Sequence, residues 1–482
     1  MSQKNFFIST AIDYPSGKPH LGHALEKIQA DVLARHKRGK GLKVHFSIGI
    51  DEHGQKIERL AEKANKNPQE FVDEMVGFFR NLYKTLNISN DDFIRTTEGR
   101  HLKTVEAIFK KIYEKGDIYK GQYKGLYCVD CETYYFPKDL KNGKCPIHLK
   151  DLEEIEEEAY FFKLSKYQEQ IIKHIQENKN FIIPGSKRNE ILNRLQEPLR
   201  DLNISRKNVE WGIRLPNDSD FTLFVWFDAL TNYLSTLDYP DEKYKDFWPA
   251  DVHIIGKDII WHHSVIWSGM LLAAGLKLPK TILAHGFLTI GGQKMSKSLG
   301  NIIDPIALTK KYGVEPIRYF LLREIPVFED GDFTEEKLKE RYNADLANGL
   351  GNYNSRVLTL TQKLGEIEID ELKFDPSVKK IIETTKNIVD QKIEEFRLNE
   401  AISAVWGLIG FGDKYLNKNE VWKISDAGEK SEKLANLVHI LLSVAELLKL
   451  FLPQTSEKIL SQLEIENSKY TVKKIETLFP RI

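Results

Sequence analysis

Near the start of the chain, His20-Leu21-Gly22-His23 puts two imidazoles on either side of a glycine, and far downstream Lys294-Met295-Ser296-Lys297-Ser298 sets two lysines among small hydroxyl residues. Ring N–H and ammonium groups donate hydrogen bonds to phosphate oxygens, and a glycine lets a nucleotide come closer than a β-carbon would permit. A third group consists of soft metal ligands: Cys128 and Cys131, then Cys145 and His148, spaced C-x2-C-x13-C-x2-H. Two such short-spaced pairs can wrap a tetrahedral Zn²⁺, and four protein ligands leave no coordination position open for water, so that zinc would be structural. Three reduced cysteines that merely cluster are the alternative.

These groups need elements to position them. Phe6, Phe7 and Ile8 form an apolar run, residues 13–19 are turn-forming, and Leu21, Ala24, Leu25, Ile28, Val32 and Leu33 recur at helical spacing. The order is strand, loop, helix, with Pro19 setting φ and both imidazoles expected in the first helical turn. Orphan N–H groups and the positive dipole end there suit an anionic phosphate. A second strand is expected at 44–48 and a second helix at 55–65, which argues for parallel β/α units carrying ligand groups at the strand C-termini. Asp51 falls on that rim, where spacing alone reads it as the N-cap of the next helix. Helices at 68–86 and 100–115, with a short strand at 93–94, carry no chemistry. The acidic run 151–158 reads as a solvated face, and the basic residues between 186 and 214 as either surface or a contact for RNA phosphate.

The uninterrupted apolar run 221–227 predicts a central parallel strand buried on both faces, leading into a helix at Asp228. Composition alone puts Trp226 and Tyr233 in the core. Residues 251–263 again read strand, glycine turn, helix: Gly256 allows close backbone approach, Asp258 can accept from ribose hydroxyls, and His263 lies one turn beyond Ile259. A strand at 281–285 is followed by a hairpin-like segment with Gly291-Gly292, and the adjoining loop could close Lys294 and Lys297 over phosphates. Beyond residue 335 the chain is expected to be almost purely helical; Leu434, Leu437, Val438, Leu441, Leu442, Val444 and Leu447 form one apolar face of a helix bundle.

A chain of 482 residues with 41% hydrophobic and 11% aromatic residues can build more than one core. Lys+Arg and Asp+Glu both number 70, so any nucleic-acid partner must meet a local basic face. No secretory or membrane-spanning segment is expected, which places the protein in the cytoplasm, and three cysteines argue against a disulfide framework.

The pairing of His-Leu-Gly-His after a first strand with Lys-Met-Ser-Lys-Ser downstream resembles the two signatures of class I aminoacyl-tRNA synthetases, and further segments resemble the methionyl-tRNA synthetase family over nearly the whole chain. Asp51-Glu-His-Gly54 looks like the segment whose Asp holds the amino group of the amino acid, and Val225-Trp-Phe-Asp-Ala-Leu-Thr-Asn-Tyr233 like the methionine-pocket segment. The cysteine-rich stretch is similar to the family's zinc knuckle, in the form that carries one. The resemblance implies an α/β fold: a Rossmann-like parallel-sheet catalytic domain (1–115 and 222–295) split by a connective insertion (116–221, knuckle at about 123–150). A signature-loop and stem-contact region (296–349) and an anticodon-binding helix bundle (350–482) would follow.

It further implies ATP contacts at His20, Gly22, His23, Gly256, Asp258, Lys294, Ser296 and Lys297. Methionine contacts fall at Ile12, Tyr14, Asp51, Trp226, Ala229, Leu230, Tyr233, Ile259 and His263. Zinc ligands are Cys128, Cys131, Cys145 and His148, and anticodon contacts Asn352, Arg356 and Trp422; Val421 stands where a familiar variant has Pro. A thioether lacks strong hydrogen-bonding groups, so selection by aromatic burial is physically reasonable. The implied reaction activates L-methionine with ATP and Mg²⁺ to methionyl-adenylate, then charges tRNA(Met), initiator tRNA included. His20, His23, Lys294 and Lys297 would stabilise transferring phosphoryl charge as hydrogen-bond donors rather than proton shuttles. No editing domain is expected, and a monomer is. Other readings are a different adenylating enzyme of the same fold, which would lose the set Asp51, Trp226 and His263, or a noncatalytic tRNA binder, which would relax the two signatures.

Overall fold

The computed structural model describes residues 4–130, 132–135, 140–146, 149–295, 302–466 and 468–482. Contacts divide the chain into two compact units, Met1–Pro19 with Lys40–Lys84 and Ser89–His285, and His20–Gly39 with Thr85–Ile88 and Gly286–Ile482.

The first unit is built on a six-stranded sheet in the order Asp92–Arg95, Lys43–Ile50, Asn5–Thr10, Val252–Gly256, Ile282–His285, Ile182–Ile183. Every pairing in it is parallel. The chain moves outward from Asn5–Thr10 to one side, lays down the opposite edge strand Ile182–Ile183, then returns to the centre at Val252–Gly256 and fills the gap with Ile282–His285. Between Asn5–Thr10 and Val252–Gly256 the order reverses, and the crevice at their C-terminal ends is where such sheets bind ligands. The strands read as continuous apolar runs because both faces are covered: Asn5–Thr10 is buried from Phe6 onward.

Residues 221–227 do not join this sheet. Asp218–Leu223 is a strand of a three-stranded antiparallel sheet with Ser205–Arg206 and Arg214–Leu215, and Val225–Leu230 is already helix. A short apolar run has no period that tells a buried strand from a buried helix. The acidic run lies on the strand Glu153–Phe162, paired antiparallel with Ile118–Cys128, where Lys124 meets Glu156 at 2.8 Å and Lys120 meets Glu158 at 3.7 Å. It is therefore half of a cross-strand charge ladder on a four-stranded sheet completed by Thr133–Tyr135 and Leu202–Asn203. The basic stretch beyond it is partly spent on the fold: Arg206 is buried against Glu157 at 3.1 Å, and the Arg194 guanidinium lies 3.8 Å from the Trp261 ring centre.

The second unit contains the helix Leu21–Gly39 and, after the hairpin Leu288–Ile290 with Gln293–Lys294, is mainly helical. Aspartates cap three of its helices: Asp304 and Asp375 precede a proline at the first helical position, and Asp426 accepts from the Glu429 N–H. The remainder is not purely helical, because Ile367–Glu368, Lys469–Val472 and Leu463–Glu466 form a small antiparallel sheet. Ala427–Phe451 is long and apolar enough to cross a membrane, but 67% of its most apolar stretch is buried inside the protein. It is the central helix of the bundle, packing on Asn352–Leu364, Leu398–Lys418 and Pro453–Ser461. Arg318, fully buried on Val314–Glu324, donates to the Asp31 carboxylate at 2.7 Å and to the carbonyls of Leu86 at 3.0 Å and Phe451 at 2.9 Å. These bonds tie the helix that follows His20 to the bundle.

Candidate active site

Asp51 ends the strand Lys43–Ile50, and the next helix begins at Gln55 with Gly54 at its cap position and no side-chain cap. The N-cap reading of Asp51 therefore fails. Its carboxylate is buried and accepts from the His53 N–H, while Oδ1 has no hydrogen-bond partner among the described residues. Burial, reinforced by the carboxylates of Asp228, Glu132 and Glu52, pushes its pKa well above the ordinary range. A carboxylate that is costly to ionise, with one oxygen unanswered, is electrostatically suited to a cation.

Tyr233 and His263 are both buried, and the Tyr233 hydroxyl lies 2.7 Å from His263 Nε2. His263 Nδ1 lies 2.9 Å from the carbonyl of Ile259. A carbonyl only accepts, so Nδ1 carries a proton. His263 thus bonds back to the carbonyl of the residue one helical turn before it. Trp226 stacks on His262, ring centres 3.8 Å apart at 18°, and the indole N–H is buried without a partner among the described residues. Burial, with His263 and Arg194 nearby, pushes His262 down to about 3. Ala229 and Leu230 are buried on the helix that carries Trp226. Ile12 and Tyr14 follow the strand Asn5–Thr10, and Tyr14 reaches the His53 carbonyl at 3.2 Å and Glu132 Oε1 at 3.0 Å. Asp258 is exposed on the turn just past Gly256.

Several residues that organise this pocket carry no sequence signal. Burial opposes the charge of Asp228, but His53 at 2.7 Å and His101 at 2.6 Å bring its pKa to about 2. His53 shares the loop of Asp51, and Asp228 the helix of Trp226, so this hydrogen-bonded cluster pins that loop to that helix. The Trp211 indole donates to the Glu52 carbonyl at 2.6 Å. His262 is the stacking partner of Trp226.

In the second unit the helix starts at Leu21, so His20 precedes it and only His23 lies in its first turn. The Gly22 N–H donates to His20 Nδ1 at 3.1 Å, and the His20 N–H to His23 Nδ1 at 3.0 Å. With both Nδ1 atoms accepting, each neutral ring carries its proton on Nε2 and is a donor there. The rings lie 3.9 Å apart. A Cβ on Gly22 would sit 3.0 Å from His20 Cε1 and 3.2 Å from the Met295 methyl, so the glycine lets the two signatures pack together. Lys294 ends the hairpin; Ser296 and Lys297 lie outside the described residues.

Cys128 and Cys145 are buried, whereas Cys131 and His148 lie outside the described residues. A two-residue turn, Asn142-Gly143, precedes Cys145, and a tight turn follows it: the Leu149 N–H donates to the Cys145 carbonyl at 2.8 Å and the Cys145 N–H to Lys150 at 2.9 Å. The Lys150 ammonium meets Asp130 at 2.6 Å, drawing that turn against the loop after Cys128. A buried thiol at the end of the strand Ile118–Cys128 and another just after a tight turn are soft ligands of the kind a zinc site uses.

On the helix Asn352–Leu364, Asn352 is exposed and Arg356 follows one turn later on the same face. Arg356 is held by Asp413 at 2.6 Å and Asn417 at 2.7 Å, with its guanidinium 5.8 Å from the ring centre of Trp422, which is 43% exposed. A planar cation and an exposed indole side by side can hydrogen-bond and stack on an unpaired base. Val421 is fully buried.

Comparison with known proteins gives the same picture. A family model described as tRNA synthetases class I (M) matches residues 6–154 and 134–358, and one described as the anticodon-binding domain of tRNA ligase matches residues 378–479. The methionine-tRNA ligase of Caldanaerobacter subterraneus subsp. tengcongensis is 42% identical over 100% of this chain and 79% of its own length. That of Clostridium perfringens is 44% identical, covering 98% and 74%. The structure of Mycobacterium tuberculosis methionyl-tRNA synthetase in complex with methionyl-adenylate superposes with a TM-score of 0.94 at 34% identity, over 99% of this chain and 100% of that one. With two signature segments, a parallel sheet that reverses at its centre and full-length similarity all agreeing, the chain belongs to the methionine-tRNA ligases, class I aminoacyl-tRNA synthetases.

Proposed function

We propose that the pocket formed by Ile12, Tyr14, Asp51, Trp226, Ala229, Leu230, Tyr233, Ile259 and His263 is where this ligase takes methionine. The observation that carries this is the buried Asp51 carboxylate, one oxygen of which has no hydrogen-bond partner among the described residues. An ammonium supplies the missing partner through a charge-assisted hydrogen bond, and the rings of Trp226 and Tyr233 accept a thioether through apolar burial and sulfur–ring contact. His263 is aligned by its hydrogen bonds with Tyr233 and Ile259.

The reaction proceeds in two steps. The methionine carboxylate attacks the α-phosphorus of ATP, releasing pyrophosphate, and the terminal adenosine of tRNA then takes the methionyl group from the adenylate. We assign the phosphates to His20, Gly22, His23, Lys294, Ser296 and Lys297, and the ribose to Gly256 and Asp258. The two Nε2–H donors hold the transferring phosphoryl group without exchanging protons. Mg²⁺ enters as part of the ATP complex and neutralises phosphate charge. Cys128, Cys131, Cys145 and His148 would hold a structural Zn²⁺ that shapes the insertion and does no chemistry. Asn352, Arg356 and Trp422 would read the anticodon, initiator tRNA included. The reaction serves translation, which places the enzyme in the cytoplasm.

Pyrophosphate exchange into ATP, run with each of the twenty amino acids, tests the reading. Methionine alone should support exchange. No methionine-dependent exchange by folded protein, or equal exchange with leucine or isoleucine, would overturn it.

A further inference from the structure

The segment that carries the cysteines also places a carboxylate under the amino-acid pocket. Glu132 follows Cys131 in the chain and adopts a left-handed backbone (φ 45), and its side chain is buried. Oε1 accepts from the Tyr14 hydroxyl at 3.0 Å and from the Lys56 N–H at 2.9 Å. The carboxylate lies flat over Gly54, where a Cβ would come within 2.4 Å of Oε2 and 2.5 Å of Oε1, and Gly54 itself has φ +113. The Lys56 ammonium reaches back to the Asp130 carbonyl at 2.9 Å. One carboxylate thus holds both Tyr14 and the turn between Asp51 and the helix Gln55–Lys63.

The chemistry goes further than packing. A phenol has one proton and two lone pairs. The Tyr14 oxygen lies near two acceptors, Glu132 Oε1 at 3.0 Å and the His53 carbonyl at 3.2 Å, and both take only its proton. With that proton committed, the phenol oxygen can only accept from a third group. An acceptor next to the Asp51 carboxylate is complementary to an ammonium, which has three donors and needs more than one partner.

We propose that Glu132 is a positioning residue for amino-acid binding: it commits the Tyr14 hydroxyl as a proton donor and fixes the Gly54 turn, so that Tyr14 and Asp51 face the substrate ammonium together. This rests on the reading of Asp51 and Tyr14 as methionine contacts, and the test separates the two. Pyrophosphate exchange is measured at varied methionine and varied ATP for Glu132→Ala, Glu132→Gln, Tyr14→Phe, Asp51→Asn and the double variant Glu132→Ala/Tyr14→Phe, with melting temperatures alongside.

Glu132→Ala should raise KM for methionine about tenfold, the scale of a lost charge-assisted hydrogen bond, with KM for ATP within about twofold of the parent. Glu132→Gln keeps a carbonyl acceptor for both donors and should stay within about threefold of the parent. The double variant should be no worse than the worse single, because both changes remove one linkage. Additive effects, or a parallel rise in both KM values, would overturn the proposal, as would a methionine KM that rises in Asp51→Asn but not in Glu132→Ala. If Glu132→Ala does not fold, Tyr14→Phe decides, and an unchanged methionine KM there overturns it. An unchanged KM in Asp51→Asn would instead remove the underlying reading, and the proposal with it.

Discussion

Replacing Asp51 by Asn separates function from stability in opposite directions. The parent carboxylate is buried with Oδ1 unpartnered among the described residues, and burial and three neighbouring carboxylates hold its pKa well above the ordinary range. A hydrogen bond to a charged group contributes about 1.5–3 kcal/mol net, so losing the carboxylate's charge should lower kcat/KM for methionine by about ten- to hundredfold or somewhat more. The sign of the pH effect follows from the raised pKa. Ammonium binding needs the ionised carboxylate, so kcat/KM for methionine in the parent should climb with pH until Asp51 is fully ionised and then level off; the Asp51→Asn substitution should remove that rise. Stability should move the other way. A carboxyl whose pKa is raised by folding destabilises the native state as pH rises through that value, so the Asp51→Asn variant should melt higher than the parent at neutral pH. Pyrophosphate exchange at varied methionine and pH, with thermal melts of the same samples, reads both. An unchanged methionine KM, or an equal rise in KM for ATP, would refute the reasoning.

Four further outcomes are expected. Gly22→Ala puts a Cβ 3.0 Å from the His20 ring and 3.2 Å from Met295, so it should lower kcat for exchange about tenfold or more with little change in methionine KM, read by steady-state exchange kinetics. On the proposed zinc site, the purified parent should carry one equivalent of zinc by elemental analysis and Cys145→Ser none, with a lower melting temperature. Arg318→Met removes the fully buried cation that donates to the Asp31 carboxylate and should cost about 3–5 kcal/mol in denaturant unfolding, the cost of breaking a buried pair. His262 is held near 3 against an ordinary 6.5, so the native state resists its protonation and loses stability as pH falls from 6.5 toward 3. His262→Phe keeps the stack on Trp226 and should recover about 1–2 kcal/mol at pH 5, allowing for partial exposure, while changing nothing at pH 8.

The residues that name the chemistry were legible in the chain because their roles depend on local spacing. Gly22 between two histidines, Ile259 four before His263, and paired cysteines around tight turns are arrangements of near neighbours, and the structure keeps Gly22 with His20 and Ile259 with His263. The parallel β/α repeat and the apolar face on Ala427–Phe451 were legible for the same reason, since periodicity is a local property. The run 221–227 was misread because it has no period: its apolar residues serve an antiparallel edge and then a helix.

Sequence by itself determined which chemistries were available: donors for phosphate, soft ligands for a metal, aromatic rings for an apolar side chain. Only the tertiary structure decided which groups share a site. Asp228 meets His53 and His101, and Tyr14 meets Glu132, across separations of 175, 127 and 118 residues, while one Asp51 oxygen has no partner among the described residues. Charge and proton ownership depend on distance and burial, and neither is a property of neighbours along the chain.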